Sequence, residues 1–248
     1  MSSTPNDQSQ SFYSAMIEHG LYSNERNLRN FLDAIFSGIS FLGRNVLDIG
    51  GGDGLLSFYV VDRGAAKAVC LEPEAAGSSA GVSERFAAAH MALGYGDRVV
   101  MVPVTFQDFD PAGKKFDIVV SHASINHLDE LACSTLMTDK KSRMVYLQLF
   151  HKLKNMLNPG AVVIIFDCSR HNFFQALGIK NPIARSIEWD KHQDPAVWKE
   201  LLLEAGFIKP LIRWQSLNSF GRLGRLLLAN RFMAYFFTSG FYLTVENP

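Results

Sequence analysis

The 248-residue chain has no excess of charge of either sign: Lys and Arg total 24, and Asp and Glu total 24. A surface built to hold a polyanion is strongly basic, so no nucleic-acid partner is expected. Cysteine is scarce. Cys70, Cys133 and Cys168 form no C-x-x-C pair and are odd in number, which argues against a disulfide framework and a cysteine-based zinc site. No stretch approaches the ~18 consecutive apolar residues of a membrane-spanning helix. The first ten residues are polar and lack a basic-then-apolar leader pattern. A reducing, cytoplasmic setting is therefore the expectation. What the chain does have is apolar material, 48% of its residues, enough for the core of an α/β domain.

The most informative stretch is Val46-Leu47-Asp48-Ile49-Gly50-Gly51-Gly52-Asp53-Gly54. An apolar run that suits a buried strand ends beside an acid and then breaks into glycines. Leu55 to Asp62 follows as a helix, with Gly64 near its end. Glycines permit a sharp turn and let a ligand approach the backbone, and the N-terminus of the following helix offers N–H groups to a carboxylate. A nicotinamide-binding turn has the spacing G-x-G-x-x-G. Gly50, Gly52 and Gly54 instead give G-x-G-x-G, preceded by Asp48.

This D-x-G-x-G-x-G pattern resembles motif I of the class I S-adenosylmethionine-dependent methyltransferases, and the similarity extends over roughly residues 40–245. It implies a Rossmann-like α/β fold. The expected sheet has seven strands, mostly parallel with an antiparallel last strand, helices on both faces and helical lid insertions. The implied layout is a disordered tail at 1–10, an N-terminal helical lid at 11–40 and an S-adenosylmethionine-binding domain at 41–248, with insertions at about 168–193 and 218–239. Tyr13, Tyr22 and Arg26 are candidates for the lid's rim, or else ordinary residues of a packing helix.

Taken in order, the strands expected after the first are Ala68–Leu71, Arg98–Val104, Phe116–Ser121, Ala161–Phe166, Phe207–Leu217 and Phe241–Val245. Helices are expected at Ser11–His19, Asn24–Ser37, Ser79–Leu93, Met144–Leu157 and Asp194–Ala205, with a turn at Asn158-Pro159-Gly160. Glu72 ends the second strand, where a carboxylate can accept hydrogen bonds from both hydroxyls of a ribose; Glu74 is the fallback. Relatives carry an acid after the third strand for the adenine amino group. Here Thr105, Phe106 and Gln107, with Asp108 beyond, share that place, and which of them meets adenine stays open. The donor set is therefore Asp48, Gly50, Gly51, Gly52, Gly54, Glu72, Thr105, Phe106, Gln107 and Ser121.

The fourth strand runs into H-A-S-I-N-H-L, which resembles the cavity-facing loop of small-molecule methyltransferases. The Asn/Asp-Pro-Pro-Tyr/Phe tetrapeptide of amino-directed relatives is absent. A small-molecule acceptor, methylated at a hydroxyl, is the leading expectation. A base then helps remove the hydroxyl proton, worth ~10²–10⁴-fold. His127 is the first candidate because imidazole titrates near neutral pH, with His122 and His171 behind it and Asp167 as an orienting group. His122 and His127 do not share a helix face as in H-E-x-x-H, and no metal is expected. Residues 167–193 carry Arg170, His171, Phe173, Phe174, Trp189 and His192 and have the makings of a substrate-pocket insertion, or of a loop packed over the core.

Residues 220–237 mix Arg222, Arg225 and Arg231 with Leu, Phe and Met. The preferred reading is a helix capping the substrate mouth or a dimer face. The other is an amphipathic helix against a membrane or a lipid-like substrate. Monomer and homodimer both stay open. The alternatives in reaction type are a cyclase, aminopropyl transfer, C- or N-methylation on the same cofactor, a nicotinamide-dependent oxidoreductase, and a non-catalytic subunit that keeps the fold.

Overall fold

A computed structural model describes residues 5–74 and 80–248. One seven-stranded sheet runs in the order β3-β2-β1-β4-β5-β7-β6. Its strands are β1 (Asn45–Ile49), β2 (Lys67–Leu71), β3 (Val99–Val102), β4 (Phe116–His122), β5 (Leu157–Cys168), β6 (Ile208–Trp214) and β7 (Gly240–Glu246). β1, β2 and β3 pair in parallel, and β7 runs antiparallel to both β5 and β6. The chain divides into two compact units, Met1–Val120 and Ser121–Pro248.

In the first unit, α1 (Pro5–Glu18) begins earlier than the Ser11 start that composition suggests, inside the segment expected to lack structure; residues 1–4 of that segment lie outside the described residues. α2 (Glu25–Ile35) is capped by Asn24, whose side chain accepts the Asn27 N–H, and it buries Leu28, Phe31, Leu32 and Ile35. Tyr13 is not a rim residue. It is buried, with the Arg29 guanidinium 3.6 Å over its ring and Arg63 donating to its hydroxyl. Tyr22 lies parallel to Phe31 at 6.4 Å, and Arg26 is exposed. α3 (Leu55–Asp62) packs on β1 and β2. α4 (Val82–Leu93) packs on β3; its expected start at Ser79 lies outside the described residues. β3 is shorter than expected, because Gly96–Arg98 forms a 3-10 turn and the strand stops at Val102 before Pro103.

In the second unit, α5 (Glu130–Thr135) and α6 (Lys140–Asn155) follow β4. The Asn158-Pro159-Gly160 turn expected before the fifth strand is instead part of β5: Gly160 takes φ +74° and donates its N–H to Asn247. After β5 come α7 (Phe173–Ala176), a 3-10 turn at Trp189–Lys191, and α8 (Pro195–Glu204), capped by Asp194 accepting the Ala196 N–H with proline in the first turn. The single helix expected over 220–237 is two, α9 (Gly221–Leu228) and α10 (Arg231–Phe236). The chain breaks at Asn230, which caps α10 through the Met233 N–H. Among the described residues, no helix is long and apolar enough to cross a membrane.

Candidate active site

The glycine bend follows β1 in the first unit. Gly50 and Gly51 both donate N–H bonds to the Leu71 carbonyl, at 2.8 and 3.1 Å, which ties the bend to β2. A Cβ on Gly51 would lie 2.5 Å from Cys70 Sγ and 2.7 Å from Asp48 Oδ2, so only glycine fits. Gly54 takes φ +82°, and a Cβ there would meet the Phe86 ring at 2.5 Å. Its role is to let α4 approach α3, where Phe86 stacks on Phe58 at 4.9 Å. At Gly52 a Cβ would meet nothing within 4 Å, so the bend is open on that side.

Carboxylates gather around the bend. Glu72 is buried, and its Oε2 accepts the Gly52 N–H at 2.9 Å. Asp48 is buried; its Oδ2 accepts from Ser57 Oγ at 2.8 Å, while Oδ1 is buried with no partner. Burial pushes the Asp48 carboxyl up to about 7, against the pull of Ser57, with Glu72 and Asp53 raising it further. Burial also raises Asp53, whose ion pair with Arg85 at 3.5 Å opposes the shift. This cluster suits a ligand that brings positive charge and hydroxyl donors, such as a sulfonium, an ammonium and a ribose. It repels a pyrophosphate. The unpartnered Asp48 oxygen and the bare Gly52 flank thus fit S-adenosylmethionine, with Asp48, Gly51, Gly52 and Glu72 as the residues to hold it.

The adenine candidates divide. Phe106 is buried in the core, and Gln107 is exposed. Thr105 Oγ1 donates to Asp108 Oδ2 at 2.7 Å and accepts the Asp108 N–H at 3.1 Å, closing the loop on itself. Glu74 accepts the Gly81 N–H at 2.6 Å and so ties down the start of α4.

In the second unit, Ser121 Oγ lies 2.7 Å from Ser124 Oγ, and both are buried. Buried Tyr146 on α6 holds the loop after β4 by donating to the Ile125 carbonyl at 3.0 Å. His127, on the 3-10 turn Ile125–His127, is exposed and pairs with Glu130 at 2.7 Å; Glu130 in turn pairs with Lys191 at 3.1 Å. Hydrogen bonds from His127 and Lys191 hold the Glu130 carboxyl below its usual range. His122 stacks on Phe166 at 4.7 Å, and burial drops its imidazole to about 4, so it is neutral and a poor base at neutral pH. His171 lines a cavity of about 550 Å³ together with Ser169, Asp194, Trp214, Arg231 and Tyr235.

The strongest constellation here joins two residues that the sequence names separately and does not pair. Asp167, at the end of β5, is buried; its Oδ1 lies 2.9 Å from His192 Nδ1 and also accepts the Cys168 N–H at 2.7 Å. Asp167 Oδ2 is buried without a partner. The two residues are 25 positions apart, and His192 reaches Asp167 only because the 167–193 segment folds back. Their sequence neighbours Ser169 and Asp194 line the cavity. Among the described residues, no group of three His, Cys, Asp or Glu side chains is placed to hold a metal ion.

A methyltransferase-domain family model matches residues 18–212. The chain belongs to that family. It is a member of the class I S-adenosylmethionine-dependent methyltransferases, and S-adenosylmethionine is its methyl donor. The family assignment sets aside the nicotinamide reading. An S-adenosylmethionine-dependent methyltransferase from Mesorhizobium loti has a similar fold, with TM-score 0.60 and 14% identity over 88% of this chain and 97% of that one. One from Aquifex aeolicus gives 0.56 and 13% over 100% of both chains. A phosphoethanolamine N-methyltransferase from Haemonchus contortus, solved with phosphomonomethylethanolamine and S-adenosylhomocysteine, gives 0.58 and 13% over 95% of this chain and 57% of that one. Curated proteins give no match to the sequence.

Proposed function

We propose that this methyltransferase acts on a hydroxyl of a small molecule, with the first unit holding the donor and the second the acceptor. The observation that carries the reading is the buried Asp167–His192 pair, each member two residues along the chain from a residue, Ser169 or Asp194, that lines the cavity with His171. A sulfonium supplies an activated methyl, so the protein has no nucleophile to build. It must orient the acceptor, exclude water and accept a proton. A neutral alcohol or phenol is a weak nucleophile until its proton leaves. An imidazole whose other nitrogen is bonded to a buried carboxylate is oriented for that task, and the carboxylate stabilises the imidazolium that results. We therefore assign His192 as the base, with Asp167 orienting it and His171 contacting the acceptor. His127 is exposed on the surface of its loop, and His122 is too weakly basic. The aromatic walls Trp214 and Tyr235 suit an acceptor with a ring or an alkyl body. A cytoplasmic setting fits the three buried free thiols.

A second reading, an amine acceptor, draws on the unpartnered Asp167 Oδ2, which could receive an ammonium as readily as a hydroxyl. The two separate on pH dependence. With S-adenosylmethionine and a panel of phenols, alcohols and amines, product mass identifies the methylated class. On a phenol, His192→Asn should lower kcat ~10²–10⁴-fold at neutral pH, with KM little changed. Activity should recover towards high pH, where the phenol ionises unaided. Equal losses at every pH, or turnover on amines alone, would reject the hydroxyl reading.

A further inference from the structure

α9 is oriented the wrong way for a helix that caps a core. Its inward face is Gly221 and Gly224, both buried, and at Gly224 a Cβ would collide with Phe220. Its outward face is leucine: Leu223 is 72% exposed, Leu226 80% and Leu227 67%. These positions share one stripe at i, i+3 and i+4. Phe232, at the start of α10, is 69% exposed, and Phe220, just before α9, is 50% exposed. An ordinary surface helix buries its leucines and shows its polar residues. Here glycine makes the close contact, and the bulky apolar side chains face out, with exposed Arg222 next to them. A contiguous apolar patch of this kind marks an interaction surface.

The charge around the patch names the partner. Between Gly206 and Val245 the sequence has no Asp or Glu, but has Lys209, Arg213, Arg222, Arg225 and Arg231. Lys209 pairs with Glu246, and Arg231 lies 3.8 Å from Asp194. Arg222 and Arg225 belong to α9 itself. Leucines with arginines on a short helix, on a protein without a spanning helix among its described residues, are the pattern of a helix lying in the headgroup layer. We propose that α9 and the start of α10 dock the protein on an anionic bilayer surface. Leu223, Leu226 and Leu227 enter the acyl boundary, and exposed Arg222 meets anionic headgroups. Arg231 and Phe232 also line the acceptor cavity, so docking brings its rim to the membrane. On the acceptor reading above, an amphiphilic acceptor could then be taken from the lipid phase.

The test is co-sedimentation with phosphatidylcholine vesicles and with vesicles that also contain phosphatidylglycerol, without donor or acceptor, so that it does not depend on turnover. The wild-type protein should pellet with the anionic vesicles and much less with the neutral ones. Leu226→Glu together with Leu227→Glu should lower binding at least tenfold. Both side chains are exposed, so the thermal midpoint should hold; if that variant does not fold, Arg222→Gln and added salt provide the same readout, each weakening binding several-fold. Failure of the wild-type protein to pellet with either vesicle overturns the proposal, as does equal pelleting of the double variant. Light scattering without vesicles covers the remaining case: a dimer that Leu226→Glu dissociates, with no vesicle binding, would make this face a self-contact and also overturn it.

Discussion

Asp48 carries a burden that Ser57 relieves only in part. Its carboxyl titrates at about 7 in the fold, against ~3.9 in the unfolded chain. Between those values the folded protein holds a proton that the unfolded chain has lost. Stability is therefore highest on the acid side of this window and falls as pH rises through it. Asp48→Asn removes the titration. From about pH 5 to about pH 8, the wild type should lose up to about 2–3 kcal/mol more stability than the variant. Urea denaturation of both proteins at the two pH values measures this, and parallel losses would show that Asp48 is not the source. The variant should also bind the donor more weakly, since a neutral amide replaces the acceptor atom left unpartnered beside the glycine bend.

At the same scale, the candidate donor site is legible in the sequence because its chemistry is local. An acid at the end of a strand, glycines and a helix start lie within nine residues, and their types alone specify a cradle. Even there the roles shifted. Gly54, expected in the donor set, has a further task, since its bare α-carbon makes room for Phe86. Phe106 went to the core, as aromatic residues after strands usually do. Asp167 and His192 could not be paired from spacing. Nothing in the turns and short helices between them, across a separation of 25 positions, sets a period that would bring them together.

Among the elements, strands and helices with a strong apolar pattern were the legible ones. β1, α3 and β2 came out within a residue of expectation. α6 was expected to start at Met144 and begins at Lys140, because its first turn is polar and carries no hydrophobic signal; the Asp139 cap marks the true start. The two insertions lie apart in sequence and are stapled together by asparagines. Buried Asn172 caps α7 through the Phe174 N–H, and its Nδ2 donates to the Tyr235 and Phe237 carbonyls and to Ser239 Oγ at 2.9–3.1 Å. Asn181 Nδ2 donates to the Phe237 carbonyl too. Asn172→Ala takes this donor from the Tyr235 carbonyl and the Ser239 hydroxyl and leaves the Phe237 carbonyl to Asn181 alone, a loss of about 2–4 kcal/mol. Amides of 231–239 should then exchange with solvent faster, while those of β1–β3 do not change. Unaltered exchange in 231–239 would mean that the staple is not what holds α10.

Across the whole chain, Asp48, Gly51, Gly52 and Glu72, which fit the donor, lie in Met1–Val120, and the residues proposed for the acceptor lie in Ser121–Pro248, as does Ser121 from the expected donor set. That division makes a prediction about ligand-linked stability. S-adenosylhomocysteine is expected to bind the folded donor site and not the unfolded chain. At a hundred times its Kd it should add about 2.7 kcal/mol, or roughly 5–10 °C in the midpoint of a chain this size. Protection from hydrogen exchange should concentrate in the segment from Val46 to Glu72, with α9 and α10 unaffected. Gly51→Val puts side-chain atoms where Cys70 and Asp48 already sit and should abolish the shift, at a cost in stability. Gly52→Val points into open space, so its effect on folding is confined to the strain of φ +54°, and it should block the ligand with a smaller loss of midpoint. A shift that survives in a folded Gly52→Val protein would place the donor away from the bend, because there the new side chain meets nothing except what binds.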